Sequence, residues 1–196
     1  LAFIQKVNKI VGPGNKFVAE AKKQLSTNLV GTESMYCGAS EICVLADKYT
    51  DINQVATSLV SQAEHDPDSQ CILVTKDKSL IKEVNNRIQS ILKTIPRKKI
   101  AFNSLKKNGL IIKVKSDKHI TEVINEVSPE HLEINVRNFK KYVNKIINAG
   151  SICNGQYTPM SLSDYTVGTN HVLPTSGSAK FSSGLSLSEF VKRISI

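Results

Sequence analysis

Three short polar clusters hold the side chains in this sequence that could bind a metal ion or move a proton. Amide oxygens, imidazole nitrogens and carboxylates are suitable ligands for zinc, and an adjacent glutamate–histidine pair suits general acid–base chemistry. Each cluster taken alone is more often ordinary surface polarity, whereas three of them beside regular elements indicate a site. The clusters are Gln62 with His65, Glu130 with His131, and Asp164 with His171.

The first cluster lies at the end of a predicted helix. Apolar residues recur with helical period after Thr50 or Asp51, either of which can cap the helix. Pro67 disfavours helical geometry in the residue before it, so the helix should end there. Gln62 and His65 stand three residues apart and therefore project from one face at the C-terminal end. The apolar stripe consists of Ile52, Val55, Ala56, Leu59, Val60 and Ala63.

Strand and helix patterns alternate along most of the chain, which predicts βαβ units and an α/β fold with a mostly parallel sheet. In such a sheet, loops converge at the carboxyl ends of the strands, where we expect the three clusters to meet. The predicted strands cover residues 6–11, 42–46, 71–75, 110–114, 132–134 and 151–153. The predicted helices begin near residues 16, 52, 79 and 117, with Asp117 as the cap of the fourth, and a last one, which carries Phe139, ends at Gly150. Pro96 and the basic run at 97–99 interrupt the pattern. Beyond Asn154 the sequence is loop-like.

A glycine-containing turn, residues 12–15, joins the first predicted strand to a helix that starts near Lys16. This arrangement can offer backbone N–H groups to a phosphate at the helix N-terminus. The turn lacks the three spaced glycines of the dinucleotide-binding fingerprint. A purely structural turn is the more frequent explanation for such a pair of glycines.

The composition is that of an ordinary globular protein with an excess of positive charge. The chain has 196 residues and a formal net charge of +9. The excess comes almost entirely from lysines, without interleaved aromatic residues or a recognised nucleic-acid motif. We therefore favour a solvated basic face, and nucleic-acid binding is a minor alternative.

The cysteines and the apolar runs predict the compartment. The four cysteines, at positions 37, 43, 71 and 153, do not have zinc-ribbon spacing and indicate buried, reduced thiols in the cytoplasm. No apolar run reaches the roughly 20 residues that a membrane span needs, and we find no signal-peptide pattern before the first strand. Leu1 is not an initiator methionine, which favours a piece of a longer protein.

Six segments carry a resemblance that extends over essentially the whole chain. They are VGPGN (11–15), GASE (38–41), QAEHDPD (62–68), SPEHLE (128–133), DYTVGTNHVLPTSG (164–177) and FSSGLS (181–186). Their order and joint pattern are highly specific and resemble those of histidinol dehydrogenases. The sequence is therefore identified as similar to that family.

The resemblance implies an incomplete Rossmann-like α/β fold, with a mostly parallel sheet flanked by helices. Residues 1–38 would be the C-terminal portion of a partial NAD-binding domain, and residues 39–196 would form a second domain with the zinc and catalytic residues. It also implies a cytoplasmic homodimer. The reaction would be the NAD-dependent, zinc-dependent oxidation of L-histidinol to L-histidine through histidinal.

The resemblance also implies roles for individual residues. His131 would be the general base on the alcohol, and Glu130 would activate water for attack on the aldehyde. The zinc ligands would be Gln62, His65 and Asp164. The substrate contacts would be Ser40, Gln62, His65, His131, Asp164 and His171, and Asn15 would contact NAD.

Family members are much longer, and they carry much of the NAD surface and a fourth zinc ligand outside the part that matches this chain. Locally, Ala39 stands where the family usually has proline. Three interpretations stay open: a working enzyme whose remaining segments lie on a complementing chain or outside the given sequence, a shortened homologue with weak metal or ligand binding, and a basic binding module. We predict that the isolated chain binds zinc weakly and shows little or no turnover.

Overall fold

The computed structural model describes residues 5–26, 30–33, 38–163 and 165–196. Seven strands are numbered in chain order. They are β1 (Lys9–Ile10), β2 (Gly31–Thr32), β3 (Glu41–Ala46), β4 (Gln70–Thr75), β5 (Gly109–Lys113), β6 (His131–Ile134) and β7 (Ser151–Asn154). The last five form one sheet in the order β5-β4-β3-β6-β7, and every neighbouring pair is parallel.

Helices cover both faces of this sheet. The helices of the described chain are α1 (Lys16–Leu25), α2 (Ile52–His65), α3 (Lys78–Leu92), α4 (Lys98–Asn108), α5 (Asp117–Val127), α6 (Lys140–Val143) and α7 (Met160–Ser163), of which α1 belongs to a separate small unit. One apolar core joins α2, α3 and α4 to one face, and a second joins α5 and the segment around α6 to the other. All six residues of β3 are buried, as expected for a central parallel strand covered on both sides.

The strand order reverses direction at the middle of the sheet. From β3 the chain adds β4 and then β5 on one side, and it returns to place β6 against the opposite side of β3. This is the order of a doubly wound, Rossmann-like sheet that ends after five strands, with its switch point between β3 and β6. The predicted fold class, α/β with a mostly parallel sheet flanked by helices, is therefore confirmed.

A small unit precedes the main sheet. Strands β1 and β2 pair in parallel, with Lys9 opposite Gly31, and α1 connects them. The first strand is only two residues long, shorter than the predicted 6–11. The apolar stripe of α1 faces outward, and the side chain of Phe17 is 73% exposed. The division into domains at residues 38 and 39 stays a prediction.

Three local expectations were wrong. Helix α4 was taken for a basic interruption, because its lysines hide a short apolar stripe that includes the buried Ala101. The helix predicted to end at Gly150 is only the four-residue α6. The cap of α5 is Ser116, whose hydroxyl accepts a hydrogen bond from the N–H of His119 at 3.1 Å, and Asp117 is the first helical residue.

The described cysteines agree with the prediction of buried thiols. Burial raises the pKa of Cys43 and of Cys71 to about 12 in each case, so both are poor nucleophiles at neutral pH. Cys153 is also buried, and Cys37 lies outside the described residues. Within the described ranges, none of the helices combines the length and apolar character that crossing a bilayer requires.

Candidate active site

A cleft of about 750 Å³ gathers most of the residues that the sequence singled out. We call it the amino-edge cleft, because it lies where the strands β3, β6 and β7 begin. Of the predicted site residues, the cleft is lined by Ser40, Gln62, His65, Glu130, His131 and His171.

The expected position at the carboxyl ends of the strands was wrong. Ser40 immediately precedes β3, and Glu130 and His131 stand at the start of β6. Helix α2 runs antiparallel to the strands, so its C-terminal residues return to the amino edge of the sheet. The described members of the three clusters do converge, but on the edge opposite to the one where Rossmann-like sheets usually bind ligands.

Helix α2 holds two potential metal ligands on its last turn. Asp51 caps its beginning by accepting the N–H of Asn53 at 2.7 Å, and the helix ends at His65 before the extended Asp66. Gln62 is only 3% exposed and forms no hydrogen bond with another described residue.

An amide oxygen and an imidazole nitrogen at a helix C-terminus, where the helix dipole is negative, fit a divalent cation such as zinc. Within the described ranges, no cluster of three or more histidine, cysteine, aspartate or glutamate side chains could complete such a site by itself. Asp164, the third predicted ligand, lies outside the described residues.

Glu130 and His131 form a buried pair on the opposite wall of the cleft. Oε1 of Glu130 lies 3.8 Å from Nε2 of His131. Oε2 of Glu130 accepts a hydrogen bond from the N–H of Glu41 at 2.9 Å, which ties the carboxylate to the start of β3. The pair is therefore held by two neighbouring strands of a rigid sheet.

The second nitrogen of His131 is oriented by the next strand. Because β6 and β7 are parallel and place His131 opposite Ser151, the imidazole Nδ1 lies 3.1 Å from the hydroxyl oxygen of Ser151. Gly150 allows the close approach, since a Cβ there would lie 2.6 Å from the carbonyl oxygen of Glu130. Gly150 therefore serves close backbone packing and does not end a helix.

A buried carboxyl group connects this wall to the loop that carries His171. Oε1 of Glu41 accepts the N–H of Ser176 at 3.1 Å, and Ser176 has a φ of 56°, in the left-handed region. The N–H of Gly38 donates to the hydroxyl of Thr175 in the same turn. Burial raises the pKa of Glu41, and the hydrogen bond from Ser176 opposes this shift only in part.

Replacing Glu41 with glutamine should flatten the pH dependence of stability. The raised pKa means that the folded state holds the proton more tightly than the unfolded state. The free energy of unfolding therefore falls as pH rises from about 4.5 through the higher value in the folded protein. Thermal unfolding between pH 4 and 8 would measure this. The fall in stability with rising pH should be smaller in Glu41→Gln. It should be unchanged in Glu83→Gln, where the replaced side chain is exposed. If the stability of Glu41→Gln fell with pH as much as that of the original chain, the assignment of a raised pKa to Glu41 would be contradicted.

Asn15 lies outside the amino-edge cleft, at the start of α1. Its Oδ1 caps α1 by accepting the N–H groups of Phe17 and Val18 at 3.0 and 3.2 Å. These are the N–H groups that a phosphate would have needed, which favours the structural explanation of the glycine turn. Asn15 does line an adjoining cavity of about 820 Å³, which shares Ser40 and His65 with the amino-edge cleft.

Ser151 and Glu41 were not given roles from the sequence. Ser151 is the first residue of a correctly predicted strand, and pairing of that strand with β6 would have placed it beside His131. Glu41 belongs to a recognised motif, but its contact with Ser176 joins residues 135 positions apart, which no local pattern reveals.

The strand order and the polar cleft define an α/β protein of the Rossmann-like class with a ligand site on one edge of its sheet. A sequence model of the family "Histidinol dehydrogenase" matches residues 1–196. The histidinol dehydrogenase of Pelagibacter ubique is 53% identical over 192 residues, which are 98% of this chain and 45% of the relative. The chain therefore belongs to the histidinol dehydrogenase family.

Solved structures agree with this assignment. The crystal structure of histidinol dehydrogenase from Elizabethkingia anophelis matches with a TM-score of 0.93 and 39% identity, over 97% of this chain and 44% of that one. A Thermus thermophilus 1-pyrroline-5-carboxylate dehydrogenase variant matches with a TM-score of 0.53 and 10% identity, over 78% and 43% of the chains, which shows a shared fold alone. The chain spans less than half the length of the relatives that it matches.

Proposed function

We propose that this chain forms the catalytic half of an enzyme that oxidises L-histidinol to L-histidine through histidinal, with two NAD as hydride acceptors. The observation that carries the proposal is the buried Glu130–His131 pair, facing a cleft that Gln62 and His65 also line. Membership of an oxidoreductase family supports the same reaction.

His131 acts as the base in both oxidations. Each hydride leaves carbon only if a nearby group takes the hydroxyl proton, and a neutral imidazole suits that task near pH 7. With Nδ1–H donating to the Ser151 hydroxyl, Nε2 carries the lone pair that accepts the proton from the alcohol. Glu130 activates the water that attacks the aldehyde, and the resulting hydrate loses the second hydride.

The remaining cleft residues bind and orient the substrate. Gln62 and His65, together with Asp164, would hold a zinc ion. That ion would supply a fixed positive charge to bind the imidazole and amine of histidinol. Ser40 and His171 contact the substrate from the two sides of the cleft. Asn15 lies beside the adjoining cavity, where NAD contacts it.

Ser151 positions the base, and its removal should slow the reaction without weakening cofactor binding. Loss of one hydrogen bond costs about 1 kcal/mol. In an enzyme completed with the remaining segments of a relative, kcat of Ser151→Ala should therefore fall roughly fivefold while KM for NAD is unchanged. Ser151→Thr keeps the hydroxyl and should recover most of the rate. The exposed Ser90→Ala is the control. If Ser151→Thr were as slow as Ser151→Ala, a hydroxyl at this position would not be what orients His131.

A chimeric enzyme tests the proposed function directly. The matching 45% of the Pelagibacter ubique relative is replaced by this chain, so that the relative supplies the rest of its length. The purified chimera, supplied with zinc, L-histidinol and NAD, should form two NADH per histidinol. The isolated chain, assayed in parallel, should form little or none.

The three outcomes are clearly separated. NADH formation by the chimera would show that the residues described here serve the reaction. A folded, dimeric chimera that forms no NADH would favour a homologue that retains the fold without the activity. Rapid NADH formation by the isolated chain would overturn the prediction that it needs the remaining segments.

A further inference from the structure

A second cavity, of about 420 Å³, lies on the opposite edge of the sheet from the proposed active site. We call it the carboxyl-edge cavity, because its walls follow the ends of β3, β4 and β6. It opens at the switch point between β3 and β6, where open α/β sheets most often bind ligands. Nothing in the proposed oxidation of histidinol uses it.

The cavity has an apolar floor and an aromatic wall. The floor consists of Leu45, Ala46, Ile120 and Val136. Tyr49 stands at the rim with its ring half-exposed. The guanidinium of Arg137 lies 5.0 Å from the ring centre, and the ammonium of Lys48 lies 5.1 Å from it. Cation–π attraction to the ring thus holds two positive charges at the rim of the cavity.

Positive charge surrounds this floor. The four lysines that line the cavity are Lys48, Lys76, Lys78 and Lys141. Lys76 and Lys141 both bind Asp117, at 2.6 and 2.8 Å. Among the described residues, no carboxylate lies within ion-pair distance of Lys48 or Lys78, and Lys48 acts on Asp77 only through a longer-range Coulombic attraction. Both ammonium groups can therefore bind an anion.

The two lining aspartates are already engaged with the protein. Asp47 accepts the backbone N–H groups of Tyr49 and Arg137, at 2.9 and 3.1 Å. Asp77 caps α3 by accepting the N–H and the hydroxyl of Ser79, both at 2.9 Å. These carboxylates stabilise the loops that shape the cavity, and helices α2 and α3 also begin at this edge with the positive ends of their dipoles.

We propose that the carboxyl-edge cavity binds a small phosphorylated ligand with a planar ring, of nucleoside monophosphate size. The ring would lie on the apolar floor beside Tyr49, and the phosphate would bind Lys48 and Lys78. A volume of 420 Å³ is within the range of small-molecule pockets, about 300–1,000 Å³.

An NMR titration of the 196-residue chain tests both the affinity and the location. Adenosine monophosphate is the probe, with adenosine and inorganic phosphate as the two partial ligands. The probe should bind at least tenfold more tightly than either part. The amide shifts should concentrate at residues 47–49, 76–78 and 136–142. Shifts confined to the amino-edge cleft or its neighbour at Asn15 would place the nucleotide elsewhere and overturn the proposal.

Variants test separately how the phosphate and the planar ring of the ligand are bound. The double variant Lys48→Ala, Lys78→Ala should weaken binding of adenosine monophosphate about tenfold. The matched double variant Lys98→Ala, Lys106→Ala, with the same change in charge on α4, should bind as the original chain does. Tyr49→Leu should weaken the binding of adenosine monophosphate but leave the binding of inorganic phosphate unchanged. Equal binding by the two double variants would show a non-specific attraction to a basic protein and would overturn the proposal.

Discussion

Replacing His131 with asparagine in the chimeric enzyme is expected to lower kcat by about 10²- to 10⁴-fold, the usual contribution of a positioned general base. Asparagine is close in size to the inner part of the imidazole and can still donate a hydrogen bond to Ser151. It cannot accept a proton at neutral pH. Both oxidations require that proton to leave, so the loss should affect the formation of histidinal and of histidine. Stopped-flow absorbance of NADH measures each step.

Two further variants make this result specific. His119→Asn changes an exposed histidine on α5 and should leave kcat unchanged. Glu130→Gln should spare the first oxidation and slow the second, because only the second needs an activated water. One NADH would then form quickly for each histidinol, followed by a slow second. If His131→Asn retained more than a tenth of the original kcat, another group would have to be the base.

Replacing Leu73 with alanine is expected to lower the free energy of unfolding by about 2–5 kcal/mol. Leu73 lies in the middle of β4, is 0% exposed and packs in the core shared with α2, α3 and α4. Strands on both sides and helices above hold its surroundings, so the structure has little freedom to close the space. Urea unfolding, monitored by circular dichroism, gives the change in the free energy of unfolding from the shift of the midpoint.

A matched leucine on the surface is the control for this prediction. The side chain of Leu187 is 85% exposed, and Leu187→Ala should change the free energy of unfolding by no more than about 0.5 kcal/mol. A loss of less than about 1 kcal/mol in Leu73→Ala would mean that this part of the sheet is loosely packed, which would contradict the burial in the structure.

The main sheet could be predicted from the sequence, because its strands are short apolar runs between amphipathic helices. The stripe of α2 predicted the helix to within one residue at each end, and Pro67 gave its termination. Helix α4 could not be found in the same way, since so many lysines conceal its buried side. Gly150 was misread, because a glycine needed for close packing has the same sequence signature as one that caps a helix.

The candidate site residues could be predicted from the sequence, but their positions relative to the sheet could not. Residue types and motifs selected Gln62, His65, Glu130 and His131, and the structure brings all four to one cleft. The edge of the sheet was predicted wrongly, because the convergence of loops says nothing about which end of the strands they join. Long-range contacts such as that of Glu41 with Ser176 depend on the complete topology.

The all-parallel pairing of the five-stranded sheet has a consequence for how fast the chain reaches its native state. No two neighbouring strands of this sheet form a hairpin, so each pairing must wait until a distant segment has been brought back by a crossover. Topologies dominated by such non-local contacts fold slowly. During that time the outer strand β5, with Leu110 and Ile111 partly exposed even in the finished structure, can pair with another chain. Refolding yields should therefore fall as the protein concentration rises, and dilution or a chaperone should restore them.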